Sequence, residues 1–415
     1  MRSSSRRAHQ NLSRGGFFIF LAVMLAAPGL LVAADWPNYR GANYDGISSE
    51  TGWRAALPES GVVEWRASLG WGFASMAVRN GQVYATGNVD DLDIVYCLDA
   101  TTGKERWRQS YPCPRLAKQH EGGPSATPTV EGDAVYVFSK NGDILRLNAK
   151  SGEVVWHKNI RTELGLKELT WYFSGSPVIV DDLVILNAGT AGVALNKADG
   201  RVVWHNGKDV GGYATPVPYT HGGRKCIALL GAGDLFGIEA ATGKILWRYE
   251  WKTNYDINAA DPIIAGDRIF ISSGYNKGCA LLKLGDDKVT EIYSNRNMRN
   301  QCNSSVLWKG HVYGFDGQVG GSGSLACLDL ETGQVKWAQR GLGTGSLMLA
   351  DGKLIVLGEK GKLAIVEATP NGYKELASAQ ILEGKCWTVP VLANGRVYAR
   401  NAAGDLVCVN VGGAK

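Results

Sequence analysis

The chain has 415 residues, with 44 basic and 39 acidic side chains, a formal net charge of +5, 54 glycines and 13 tryptophans. That small excess of charge is concentrated in the first 34 residues, which hold four arginines and no acid, so the rest carries 40 basic against 39 acidic residues. A balance so close to neutral gives no basis for nucleic acid or an anionic membrane as partner.

The chain opens with Arg2, Arg6, Arg7 and Arg14, followed by an apolar run from Gly16 to Ala27 and by Val32-Ala33-Ala34 before Asp35. This order of basic, apolar and small residues predicts a signal peptide over 1–34 and hence export. The apolar run is short for a membrane span and Pro28 interrupts it, so no transmembrane segment is expected after cleavage. Residues 35–61 form an N-terminal extension, and everything from 62 to 415 reads as one repeating unit.

The repeat is plainest at its ending: ATTGKERW closing at Trp107, AKSGEVVW at Trp156, KADGRVVW at Trp204, AATGKILW at Trp247 and LETGQVKW at Trp337. Units recurring every ~40–50 residues with β-rich runs and glycine turns are the mark of propeller blades. One such unit cannot bury both faces of its own small sheet, and stacking in a ring leaves only short, protected edges. A second-strand signature gives the count independently: NGQVYATG from Asn80, then copies from Gly132, Asp181, Gly223, Gly266, Lys309, Asp351 and Asn394. Eight copies predict an all-β, eight-bladed β-propeller of four-stranded antiparallel blades. The eighth copy stops without a fourth strand, while VVEWR, Val62 to Arg66, stands alone before the first and carries the Trp ending. The N-terminal strand is therefore expected to complete the last blade. Blades five and seven are irregular: Tyr293 replaces Trp in one, and the other ends in Leu376.

Eight cysteines in an exported chain permit disulfides, and 105 pairings are open. Cys97, Cys327 and Cys408 share one repeat position, so the ring keeps them apart. Cys113, Cys302 and Cys386 lie between blades. No two cysteines are adjacent and there is no Cys-x-x-Cys.

The T-G-x-x-x-W endings, placed after strands of the Y-x-L-D-A type, resemble the PQQ-type repeat. That repeat is shared by quinoprotein alcohol dehydrogenases and by non-catalytic propellers of the BamB type. The opening segment DWPNYRGANYDGIS from Asp35 resembles the start of many exported bacterial proteins of this class. The resemblance spans 62–415 and implies the fold. Its catalytic members also imply PQQ held with Ca²⁺, a Glu, an Asn and a catalytic Asp, together with a vicinal disulfide. This chain has no Cys-Cys pair, and no matching set of ligands is recognised in it.

In a propeller the blade-linking loops meet at one mouth of the ring, where ligands usually bind. Trp171, Tyr213, Asp256, Asn258, Arg299, Asn303 and Trp387 all lie on such loops and are expected to converge there as a ligand or cofactor site. Asp256, flanked by Asn254 and Asn258, is the candidate metal ligand or base, because oxygen donors suit Ca²⁺; Asx residues also cap loops. His120 beside Glu121 has the form of a base with an orienting carboxylate. Trp71, Trp171 and Trp387 are either ligand platforms or channel plugs. The expected function is an exported, monomeric module that binds a small molecule, a peptide or an envelope protein at its mouth. The alternatives are a PQQ-dependent alcohol or sugar dehydrogenase and a BamB-like scaffold of envelope assembly.

Overall fold

The T-G turns and Trp endings make sense only between blades. In the computed structural model, which describes Met1 and residues 34–57, 62–118 and 120–412, the first blade consists of strands Ala77–Arg79, Gln82–Val89, Leu92–Asp99 and Glu105–Pro112. Its third and fourth strands pair antiparallel, with Trp107 opposite Cys97. The Trp107 indole leaves its own blade and donates to Ala149 O of the next at 3.0 Å. It also lies where a Cβ on Gly152 of that blade's turn would sit, 2.6 Å away, and Gly152 has φ +78°. Trp65, Trp156, Trp204 and Tyr293 likewise lie against Gly103, Gly200, Gly243 and Gly333 of the following blade's turn, where any side chain would clash.

Trp65, Trp156, Trp204 and Trp337 repeat the bond, to Ala100 O, Lys197 O, Ala240 O and Thr369 O. In irregular blade five, Tyr293 reaches Leu330 O with its hydroxyl at 2.8 Å, so the phenol takes over the indole's role. Cys97, Cys327 and Cys408 stand across from Trp107, Trp337 and Trp65 within their own blades. All eight cysteines are free thiols, and all but Cys302 are buried.

Seven further four-stranded blades follow, over residues 129–159, 178–205, 217–250, 263–295, 306–339 and 346–380, and then 391–410 completed by Val63–Ser68. That N-terminal strand pairs with Asp405–Asn410 through Val63↔Val409, Trp65↔Cys408 and Ser68↔Asp405. The ring is closed by the strand that the sequence left orphaned. Among the described residues, no helix is long and apolar enough to cross a membrane. The signal peptide expected over 1–34 falls almost wholly on residues 2–33, which lie outside the described residues.

The extension after Asp35 has a structural part that no periodicity announces. Trp36, almost fully buried, exchanges backbone bonds with Val78 of blade one, and Val130 N of blade two donates to Pro37 O. Ile179 N of blade three donates to the Tyr44 hydroxyl. Ile47–Ser48 then adds a fifth, parallel strand to blade seven opposite Leu349 and Ala350. Farther on, the Glu50 carboxylate accepts from Asn394 N and Gly395 N of blade eight. Most of these contacts fall near the C-terminal ends of the innermost strands, so the segment crosses beneath the ring and floors its channel.

Candidate functional site

Seven innermost strands carry a Ser, Thr or Asp at one register position, two residues before the strand in six of them and at its first residue in the seventh: Ser75, Thr127, Ser176, Thr215, Asp261, Ser304 and Ser346. Pro follows in four of them, at 128, 177, 216 and 262, and it holds the preceding residue extended. The side-chain oxygens form a belt around the channel. Ser75 N donates to Thr127 Oγ1 (3.0 Å), Thr127 N to Ser176 Oγ (2.9 Å) and Ser176 N to Thr215 Oγ1 (3.0 Å). Thr215 N then donates to Asp261 Oδ1 (2.8 Å), and Asp261 N to Ser304 Oγ (2.8 Å). These five bonds satisfy backbone donors that would otherwise be stranded just before five of the buried strands.

Among these seven, blade five places a carboxylate where the other six place hydroxyls. Asp261 is 5 % exposed, and its Oδ2 faces Arg40 Nε of the floor at 3.7 Å. Arg40 is itself fixed by Ser305 O at 2.9 Å. Burial raises the Asp261 carboxyl to about 7, against the lowering pull of Arg40 and the Thr215 bond. An acid whose folded value lies above its unfolded value, ~3.9, contributes stability that is complete below about pH 4 and lost as the pH rises toward 7. Wild type should therefore lose up to ~1.4 kcal/mol per pH unit across that window relative to Asp261→Asn. Urea melts of the two proteins at several pH values test this, and parallel profiles would refute it.

Above the belt is a cavity of about 240 Å³ whose walls include Phe73, Trp171, Tyr213, Tyr275, Asn303 and Trp387, with Tyr39 of the extension at its base. Phe73 stacks on Trp387 at 5.4 Å between centroids. The loop joining blades one and two folds over the mouth. Its His120 sits between Trp171 (5.5 Å) and Trp387 (4.9 Å, edge-on). Glu121 takes two 2.8 Å bonds from Lys385, whose ammonium also lies 4.5 Å from the Trp387 ring centroid. Burial, reinforced by Lys385, pulls the His120 imidazole below its ordinary value. The Trp387 indole donates to Glu359 Oε1 at 3.0 Å.

Of the seven residues expected at the mouth, Trp171, Tyr213, Asn303 and Trp387 line this cavity. The other three do not. The Asn258 amide is fully buried and donates to Gly231 O, Ala232 O and Trp251 O, binding a loop together. Arg299 forms a two-point ion pair with Asp316 (2.7 and 2.6 Å). Asp256 is exposed on the single turn Asn254–Asp256, with φ +55°. Its role there is that of a turn residue, in keeping with the tolerance of Asp for the left-handed region. Sequence reasoning overlooked Asp261 and the belt, although the Ser/Thr/Asp-Pro recurring before four innermost strands was the signal for them.

These side chains do not fit a quinone held with calcium. Asp261 is the cavity's carboxylate; one of its oxygens is taken by Thr215 N–H, and the other faces a guanidinium that would repel a cation. Among the described residues, no group of three or more His, Cys, Asp or Glu is placed to hold a metal ion, Asp256 included.

Eight four-stranded blades docked through T-G turns and Trp endings define a PQQ-like repeat β-propeller. A family model described as "Outer membrane protein assembly factor BamB" matches residues 46–208 and 167–339, more than half of the chain, and the chain belongs to that family. The outer membrane protein assembly factor BamB of Yersinia pestis is 24 % identical over 362 residues, covering 83 % of this chain and 77 % of that protein. Among solved structures, BamB of Moraxella catarrhalis aligns with a TM-score of 0.62 at 16 % identity, over 84 % of this chain and all but 1 % of its own. A quinohemoprotein alcohol dehydrogenase from Comamonas testosteroni aligns at 0.64 and 14 % identity, over 92 % and 81 %. Identities this low show a shared fold and nothing about chemistry.

Proposed function

We propose that this chain is an exported envelope protein that works as a binding module, taking its ligand or partner at the mouth of the ring. The observation that carries this reading is the cavity itself: the extension floors it, aromatic rings wall it, and its titratable groups are engaged with one another. Around it the rim shows Trp71, Leu116 and Tyr255 to solvent. Large exposed aromatics over a pocket are the usual composition of a recognition surface. A role in outer-membrane protein assembly is the more specific version, favoured by the family match. A photo-crosslinking residue at Leu116 or Tyr255 should capture an envelope component in cells, whereas one at Val203, on the outer circumference, should not. Capture from Val203 alone would place the working surface on the ring's outside and defeat this reading.

A further inference from the structure

The groups left uncommitted in the cavity say what chemistry it can accept. Ser176 and Thr215 each accept a backbone N–H from the preceding blade, and neither hydroxyl donates to any partner among the described residues. Their O–H groups are therefore free donors on two nine-tenths-buried side chains that line the cavity. Asn303 spends its amide nitrogen on Gly345 O at 3.0 Å and keeps its carbonyl oxygen as a free acceptor. Asp261 keeps Oδ2 without a hydrogen bond. Two free donors, on Ser176 and Thr215, are thus followed along the buried belt by two free acceptors, on Asp261 and Asn303, with indole and phenol rings above them.

The charged groups in the wall stand opposite partners of the other sign, though the Lys140 ammonium makes no hydrogen bond. Arg40 faces Asp261 at 3.7 Å, and Lys140, buried in the wall, faces Asp93 at 3.5 Å. An anion would meet the Asp261 and Asn303 oxygens, and a cation would meet Arg40. A purely apolar group would strand two hydroxyls and two acceptors out of water, at a cost that such pockets avoid. A ligand that offers its own hydroxyls, each both donor and acceptor, and presents C–H faces to aromatic rings satisfies all of these groups.

We infer that the cavity binds a neutral pyranose, its hydroxyls on Ser176, Thr215, Asn303 and Asp261 and one ring face on Trp171. This deepens the mouth-binding reading and rests on it. A volume of about 240 Å³ falls below the range of drug-sized sites, roughly 300–1,000 Å³, and so admits one sugar ring end-on. That ring comes either from a free monosaccharide or from the terminus of a glycan, and the chemistry is common to both.

The test is titration of the purified protein, followed by tryptophan fluorescence and calorimetry. The probes are glucose, galactose, mannose and N-acetylglucosamine, then the disaccharides these sugars terminate, and benzyl alcohol as an apolar probe. Saturable binding of at least one sugar is expected, weakened about tenfold or more by Trp171→Leu and by Thr215→Val. Both variants should keep a cooperative melt, which separates lost binding from lost folding. Binding of free monosaccharide points to a soluble ligand, and binding of disaccharides alone points to a glycan end. Benzyl alcohol binding with every sugar silent up to about 50 mM overturns the sugar assignment and leaves the mouth-binding reading standing. Silence of every probe overturns the sugar assignment too, leaving the crosslinking result to decide the broader reading. Sugar binding unaffected by either substitution overturns the placement.

Discussion

Deleting residues 35–70 is expected to abolish the cooperative unfolding transition and leave an aggregating chain. The deletion removes Val63–Ser68, which exposes Asp405–Asn410 as an unpaired edge in the interior of blade eight. An open, flat edge of this kind is a template for pairing with other molecules. It also removes the floor, so that Arg40, Trp36 and the Glu50 carboxylate no longer tie blades one, two, three, six, seven and eight together. The milder form of the test is Trp65→Ala. Its ring is buried against Gly103, and its indole bond to Ala100 O is the joint between the last blade and the first. Large-to-small changes at such sites cost about 3–5 kcal/mol. Thermal unfolding of Trp65→Ala and size-exclusion of the deletion variant measure both effects. A soluble, monomeric deletion variant melting at the wild-type temperature would show that the ring closes without the N-terminal strand.

How much of this was legible follows from where each interaction lies in sequence. Strand order, blade count and the closing strand depend on contacts that repeat, and repetition is visible in one chain. The pairing of T-G with Trp was visible as a motif, but its reason was not, because the glycine serves the tryptophan of the preceding blade and not its own. Residues 35–57 gave no periodic signal, since each of their contacts is made once and to a different blade. At the mouth, a loop position says that a residue is near the channel but not which way its side chain turns. Trp171 and Trp387 turn inward to cover apolar surface, while Asn258 turns to bind loose carbonyls and Arg299 turns to Asp316. Asp261 lay in the text as Asp-Pro among Ser-Pro and Thr-Pro, but its exceptional position shows only once the strands are in register.

Arg400→Met is expected to destabilise the same joint from inside the core, by about 2–4 kcal/mol at neutral pH. Arg400 is fully buried with no carboxylate at hand, and burial pulls its guanidinium down to about 10. What holds the charge is backbone. Its donors reach Thr86 O (2.5 Å), Gly70 O (3.0 Å), Ala74 O (3.4 Å) and Asn401 O (3.4 Å), so one side chain of blade eight fastens the entry to blade one. Among the described residues, the Gly70 and Ala74 carbonyls accept from no other group. Methionine would match the stem and remove an expensive buried charge, which by itself would help folding. It would also leave two carbonyls dry, at roughly 1–3 kcal/mol each, and the second effect outweighs the first because the carbonyls cannot leave with the charge. Arg400→Lys should recover part of the loss, since one ammonium reaches fewer acceptors than a fork of five donors. Because Trp65 and Arg400 secure the same joint, the double variant Trp65→Ala/Arg400→Met should lose less than the sum of the two single losses. Chemical denaturation of the four proteins decides the matter: strict additivity would mean that the two residues hold separate parts of the ring, and Arg400→Met at wild-type stability would mean that the carbonyls find other donors.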